Sequence, residues 1–516
     1  MCEQRHRFGD DGHVYRCFAR RPWPVLIGLV LLLAACGTAR TGARATSVGP
    51  KGASAAGRPI LPGGTGASGG GAGGGTTSIS QSPGGDWPTY HHDLARSGSD
   101  PGAPPAGPLV SRWTTHLDGT AVYAEPLVAS GLVVVATEGN DLFAVQGDTG
   151  RVRWRTSLGQ PVSGAALPCG NIDPSGVTGT PVVDQATGSI WVVAFVRPGH
   201  HVLYQLNLAS GEVRSQRTVD PPGSNPLVEQ QRGALTLSQG HVYVPFGGLY
   251  GDCGNYHGYV VGATLDGTGS LGVYQVPSQR EGAIWAASGP AVDPAGDLFV
   301  ATGNGSSSSS FDGGNAVVRL SPALVETDYF TPSDFAQLNA NDADLGSTGP
   351  VLVGSGQVFQ IGKAGVGYLL DAAHLGGVGH PAFAAPVCQG GAYGADATSG
   401  SLVVVPCTTG LVALRIGTGC VRAPGQPGPC AGLAAQPVGF TVAWRGSGHP
   451  GAPVVAGGVV WALDTDHGYL YGSDLVTGAP RGRAQVGQVV HFATPAVSGS
   501  SIYVAGGHGL LAFGGA

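Results

Sequence analysis

The side chains of this sequence that could do chemistry are few and widely spread. Of its 26 basic residues only Lys51 and Lys363 are lysines, and the rest are arginines. A compact ammonium kept in a chain that otherwise uses arginine points to a place that wants a point charge. An ion pair with Asp342 or Asp344 is the structural use of the same residue. Thr302-Gly303-Asn304 fits a strand-end turn, because Gly and Asn both tolerate positive φ. His91-His92 and His200-His201 are adjacent pairs. Neighbours on a regular element cannot share one metal face, so both pairs are expected at the surface. A Gly-x-Gly-x-x-Gly spacing occurs at 64–69 and at 267–272, but neither copy opens a helix after a strand, as dinucleotide binding requires. The folded region has no nucleophile elbow, and no zincin motif or Cys-x-x-Cys-His occurs, so no haem is expected.

Cysteine placement bears on compartment. Arg20 and Arg21 flank an apolar run, Pro24 to Leu33, that is too short to span a membrane and ends in Leu33-Ala34-Ala35-Cys36-Gly37. This run resembles the lipobox of bacterial lipoproteins, which implies cleavage before Cys36 and acylation there. The expectation is an exported protein held at the cell membrane or cell surface through Cys36. Six further cysteines follow: Cys169, Cys253, Cys388, Cys407, Cys420 and Cys430. An even number outside the cytoplasm suggests three disulfides, with fifteen possible pairings. The favoured set is Cys169–Cys253, Cys388–Cys407 and Cys420–Cys430.

The elements that must position these residues follow from composition and repetition. The chain carries 91 Gly and 38 Pro, and its 11% of charged residues compares with roughly 25% in an average soluble protein. Many short strands joined by tight turns have this composition. A net charge of -6 without a basic patch gives no electrostatic footing for nucleic-acid binding. Residues 1–36 read as a lipoprotein signal peptide. The Gly-, Ser-, Thr- and Ala-rich stretch 37–85 reads as a flexible tether.

From Trp87 onward a marker recurs: a small residue, then Pro, then apolar residues. It stands at Pro126, Pro181, Pro290, Pro350, Pro453 and Pro495, and Gly233-Ala234-Leu235 and Ala395-Asp396-Ala397 fill two gaps without Pro. Pro at a strand start loses no ladder hydrogen bond. Each marker precedes a second and a third strand, and several copies add an outer strand, most fully at Asp148-Thr149-Gly150-Arg151-Val152-Arg153-Trp154. Eight repeats at a period of about 40 to 60 residues predict an all-β, eight-bladed β-propeller over 86–516. The last repeat ends at Phe513 without its outer strand, and Leu109-Val110-Ser111-Arg112-Trp113 is that missing piece at the other end. The N-terminal strand is therefore expected to close the ring.

Trp87-Pro88-Thr89-Tyr90 with Asp93, the Asp-Thr-Gly-x-x-x-Trp turn at 148–154, Ile284-Trp285, Thr302-Gly303-Asn304, Asp342-Ala343-Asp344-Leu345-Gly346 and Gly362-Lys363-Ala364-Gly365 resemble pyrroloquinoline-quinone-type propellers. That superfamily holds quinone-dependent alcohol dehydrogenases and also propellers without enzyme activity, such as outer-membrane assembly lipoproteins. For a dehydrogenase the resemblance implies pyrroloquinoline quinone and Ca2+. Asn304 and Asp252 would then be metal ligands, Asp344 the catalytic base, Lys363 the cation at the quinone oxygens and Trp285 the aromatic floor. Calcium would polarise the quinone carbonyl, and a base would take the alcohol proton. The pattern is broken at three points. Gly251-Asp252-Cys253-Gly254 stands where a calcium-binding Glu is due, Tyr123 stands where a quinone-contacting Glu is due, and the adjacent Cys pair is missing. These departures favour a non-catalytic binding or scaffold protein of the cell envelope, with an envelope protein as partner. The alternative is a quinone-dependent dehydrogenase oxidising alcohols, sugars or polyols.

Overall fold

A computed structural model describes residues 85–354, 356–419, 436–507 and 509–514. The signal peptide with Cys36, nearly all of the tether and the pair Cys420–Cys430 lie outside the described residues.

Eight sheets, each with four antiparallel strands at its centre, succeed one another along the chain. Blade 1 shows the plan, with strands Leu127–Ala129, Leu132–Ala136, Asp141–Gln146 and Val152–Ser157 in spatial order. Burial falls outward. The second strand is almost wholly buried, whereas the fourth shows an exposed face. A strand packed between two neighbouring blades needs apolar residues on both faces, which is why the second strands read as unbroken Val, Leu and Ile runs. The described residues contain one short α-helix, Phe335–Ala340.

At all six Pro markers the inner strand starts directly after the Pro or one residue later, as at Leu127, Val182, Ala291, Val351, Val454 and Ala496. The two markers without Pro are displaced. Their strands are Thr236–Ser238 and Ala397–Ser399, so Gly233-Ala234-Leu235 and most of Ala395-Asp396-Ala397 form the bend that enters the strand.

Blade 8 consists of Ala496–Ser498, Ser501–Gly506 and Gly509–Gly514, and its outer strand is Val110–His116, antiparallel to Gly509–Gly514. Trp113 on that strand docks onto blade 1 by donating from Nε1 to the Gly147 carbonyl at 3.1 Å. A Cβ on Gly150, at φ +73°, would lie 2.7 Å from the Trp113 ring. The Asp-Thr-Gly turn therefore needs glycine for its backbone and for the indole lying on it. Trp154 docks onto the turn of blade 2 and Trp444 onto that of blade 7, each donating at 2.9 Å to the Leu208 or Leu475 carbonyl. One Trp-on-Gly contact thus serves at least three inter-blade joints.

The segment 85–100 ties the ring from inside. The Trp87, Pro88, Leu94, Ala95, Ser97 and Gly98 carbonyls accept from inner-strand N–H groups of blades 1, 2, 4, 5, 6 and 7, at Val128, Val183, Val292, Leu352, Thr398 and Val455. Arg96 reaches blade 3 through the Leu235 carbonyl and Thr236 hydroxyl, and blade 4 through the Pro290 carbonyl. Ser498 of blade 8 donates to the Gly85 carbonyl. Buried backbone groups must be paired, and this segment supplies partners for strand edges that face the axis. The histidines of this segment correct the surface expectation. His91 and His92 are buried, His91 stacked on Tyr90 and His92 tilted against Trp87. His201 is also buried, stacked on Phe195 with Nδ1 on Asp220, and only His200 of the four is exposed. Adjacent histidines here serve as ring-shaped packing pieces.

Two disulfides form among the described residues, Cys169–Cys253 and Cys388–Cys407, matching two of the three favoured pairs. The first joins the connection between blades 1 and 2 to a loop of blade 3.

Candidate functional site

In a four-stranded blade the loops after the second and fourth strands leave on one face, and those after the first and third on the other. The segment 85–100, a plug inside the ring, contacts blade 1 on the first-turn side, where Ser130 N donates to Asp86. On the opposite face a cavity of about 780 Å³ opens at the axis. Its lining comes from second-to-third-strand loops (Tyr250, Asn304, Lys363) and blade-to-blade connections (Arg232, Trp285, Phe492).

All five residues singled out from the resemblance, Asp252, Trp285, Asn304, Asp344 and Lys363, line this one cavity. Its floor is a hydrogen-bonded cluster. Lys363 Nζ lies 2.9 Å from Asp342 Oδ1 and 2.5 Å from Asp344 Oδ2, and 5.8 Å from the centre of the Trp285 ring system. Asn304 N donates to Asp344 Oδ1 at 2.6 Å, and Asn304 Nδ2 donates to Asp342 Oδ1 at 2.8 Å. A Cβ on Gly303 would lie 2.5 Å from Asp344 Oδ1 and 3.1 Å from Trp285 Nε1, so the middle residue of Thr302-Gly303-Asn304 has no room for a side chain.

Burial by itself would lower the Lys363 ammonium, but the Asp344 and Asp342 carboxylates hold it above its ordinary value. Asp344 is raised by its burial, with Lys363 and the Asn304 N–H opposing the shift. The lysine therefore stays charged. Its functional and structural readings meet here, since both proposed aspartate partners are present.

Asn315 and Asn339 were not singled out from sequence. Asn315 Nδ2 donates to Asn304 Oδ1 at 3.0 Å and to Asn339 Oδ1 at 2.7 Å, and Asn315 Oδ1 accepts from Leu345 N at 2.6 Å. This buried amide joins the Asn304 turn to the Asp344 segment. Arg232, Tyr250, Glu281 and Phe492 were missed as well. Arg232 sits 5.4 Å over the Phe492 ring, and Phe492 meets Trp285 edge-on at 6.1 Å. Asp252, Glu281, Asp342 and Phe492 all have φ between 51° and 72°. Glu and Phe seldom adopt this conformation, and such strain gathers at functional sites. Strain of this kind leaves no mark in residue spacing.

The rim is set by the Cys169–Cys253 bridge, with Asn171, Tyr250, Gly251 and Asp252 on the cavity wall close to it in sequence. Asp252 is exposed, and its Oδ1 accepts from Tyr256 Oη at 2.7 Å. Glu281 is raised by partial burial; its neighbour Arg280 opposes the shift, and Asp252 and Asp344 add to it.

These donors do not fit a calcium–quinone pair. Asn304 Oδ1 is engaged by Asn315, and both Asp344 oxygens by Asn304 N and Lys363. Asp252 spends one oxygen on Tyr256. Among the described residues no three His, Cys, Asp or Glu side chains gather as a metal site. A tricarboxylate would also face four carboxylates, Asp252, Glu281, Asp342 and Asp344.

Residues 110–327 match the sequence model of a family described as outer membrane protein assembly factor BamB. No curated protein matches the chain. Among solved structures, the quinohemoprotein alcohol dehydrogenase from Comamonas testosteroni superposes with a TM-score of 0.65 at 18% identity, over 83% of this chain and 80% of that one. A europium-containing methanol dehydrogenase gives 0.62 at 15% identity, over 83% and 90%. BamB from Moraxella catarrhalis gives 0.50 at 15% identity, over 78% and 99%. The same ring thus underlies enzymes and an assembly factor, and at these identities the likeness speaks for the fold. The chain is an eight-bladed β-propeller, and its residues 110–327 match a pyrroloquinoline-quinone-type repeat family.

Proposed function

We propose that this chain is an exported, lipid-anchored binding propeller of the cell envelope that performs no catalysis and presents its axial pocket to a ligand. The observation that carries this reading is the state of the would-be catalytic groups. Lys363, Asp344 and Asn304 are locked onto one another and onto Asn315, at 2.5–3.0 Å. A general base must be free to reach a substrate proton, and Asp344 is instead held on both oxygens by the Asn304 N–H and the Lys363 ammonium. Here these groups stiffen a pocket floor. Acylation at Cys36 would hold the ring at a membrane surface through the Gly-rich tether, and an envelope protein that carries or builds the ligand would be its partner.

A second reading, a quinone-dependent dehydrogenase using pyrroloquinoline quinone and Ca2+, is favoured by one observation. Trp285, Asn304, Asp344 and Lys363 meet in a single cavity at the axis. Dye-linked oxidation of a panel of alcohols, sugars and polyols, after incubation with both cofactors, separates the two. The binding reading expects no dye reduction above the cofactor-free control, and turnover abolished by Asp344→Asn would replace it. For the anchor, labelled palmitate should enter the full chain and not Cys36→Ser; equal labelling of both would remove the lipoprotein assignment.

A further inference from the structure

The chemistry left over in the axial pocket specifies a ligand class. Its charges are partly paired, Lys363 with Asp342 and Asp344, and Glu281 with Arg280 beside the pocket at 3.1 Å. What remains is hydrogen-bonding capacity and ring surface. An ionised carboxylate offers about four lone-pair sites, and each of these contacts uses one or two. Asp252 uses one oxygen on Tyr256, and the side-chain amide of Asn171 makes no bond among the described residues. Spare donors lie beside these acceptors, on the Arg232 guanidinium and the Tyr250 and Tyr393 hydroxyls, so the ligand must both donate and accept. The ring surface comes from Trp285 and Phe492 on the inside and from Tyr250 at the mouth, where it is 67% exposed, the largest exposure among the large apolar residues. A tyrosine at the mouth of a cavity offers a ligand an apolar face with a polar tip.

An anion is disfavoured by the four carboxylates, and the place of a small cation between Asp342 and Asp344 is taken by Lys363. A neutral molecule with many hydroxyls and one apolar face matches on both counts. We infer that the axial pocket binds a neutral oligosaccharide, with pyranose faces against Tyr250 and Trp285 and hydroxyls donating to the Asp252 and Asp342 carboxylates. A volume of about 780 Å³ lies in the upper part of the roughly 300–1,000 Å³ range of small-molecule sites, enough for more than one sugar ring. The inference rests on the binding reading above and gives it a ligand.

The test is isothermal titration of the purified full chain with triacetylchitotriose, cellotriose, maltotriose and mannotriose. Choline and pyrroloquinoline quinone with Ca2+ serve as the cationic and anionic probes. At least one trisaccharide should bind saturably with a stoichiometry of one. Tyr250→Ala should weaken it tenfold or more with an unchanged melting temperature, because Tyr250 is on the surface. Trp285→Phe, which keeps a ring, should weaken it less than Trp285→Ala. If none of the four sugars binds, or if only choline or the quinone binds, the carbohydrate inference is overturned. Choline binding alone would leave the non-catalytic reading standing. Dye reduction coupled to a bound sugar would overturn the non-catalytic reading and leave sugar recognition intact.

Discussion

At the residue scale, the buried titratable groups set how this protein responds to pH. Burial raises Glu138 from an ordinary 4.5 to about 7 and Glu229 from 4.5 to about 8. Each has one carboxylate oxygen without a partner, and Asp396, also raised, has both oxygens without one. Burial lowers His91 from 6.5 to about 3. The signs are opposite in effect. A carboxyl raised in the folded state gives stability that is full below its unfolded value and lost as pH rises through its folded value. A histidine lowered in the folded state favours folding above 6.5, and that stability is lost as pH falls toward its folded value. Between about pH 4.5 and 6.5 the two groups oppose each other, and above 6.5 the raised carboxyls act without that opposition. Stability should therefore fall by about 2 kcal/mol between pH 6.5 and 8.5, since each tenfold difference in proton affinity between the folded and unfolded chain is worth roughly 1.4 kcal/mol. Melting temperatures across that range should show the fall in the wild type and lose most of it in Glu138→Gln/Glu229→Gln. A wild-type curve that is flat or rises over this interval would contradict the assignment. None of this is legible in the sequence, because a glutamate in a turn looks the same whether or not a ring of blades closes over it. Lys363 is the contrasting case. Its rarity marked it in advance, and its two aspartate partners lie close by in sequence.

At the element scale, strand positions were readable and loop geometry was not. The Pro markers locate inner strands closely because Pro occupies the first strand position, where no ladder bond is lost. Without Pro the bend and the strand blur, as at Ala234 and Ala395. The floor of the site was legible through short motifs, although Gly303 and Asn304 lack the positive φ expected of a turn; Gly303 has no room for a side chain and Asn304 bonds both aspartates. Arg232, Glu281 and Phe492 were not legible, because they sit in irregular connections whose direction is set by neighbouring blades. The disulfides act at this scale as well. Cys169–Cys253 closes a separation of 84 residues and Cys388–Cys407 one of 19. On chain entropy the first should stabilise by about 4.5 kcal/mol and the second by about 3 kcal/mol. Denaturant midpoints of Cys169→Ser/Cys253→Ser and Cys388→Ser/Cys407→Ser should show the larger loss for the first pair. The reverse order would mean that native packing, and not the unfolded chain, decides the effect.

At the scale of the whole molecule, the ring is held from outside and from inside. Outside, Trp113, Trp154 and Trp444 dock onto glycine turns of the next blade. The number of blades was legible because the repeat is written in residue types. The inner tie was not, because most of its bonds join backbone to backbone and any side chain could accompany them. Arg96 is the exception. It is 1% exposed and donates to Thr89, Tyr90, Leu235, Thr236 and Pro290, so one side chain pins the plug to two blades. Arg96→Met leaves those acceptors unpaired in the interior and should cost about 3 kcal/mol or more. Equilibrium urea unfolding measures it, and a loss below about 1 kcal/mol would show that the plug is not integral to the ring.

The central claim is that a ring shared with quinone enzymes has turned its axial pocket to binding without the cofactor. The most direct measurement is equilibrium titration of the purified propeller with pyrroloquinoline quinone in the presence of Ca2+, followed by quenching of Trp285 fluorescence against a Trp285→Phe control. The account predicts no saturable, calcium-dependent quenching at micromolar quinone. Stoichiometric quenching that requires calcium and disappears in Asn304→Ala would contradict it.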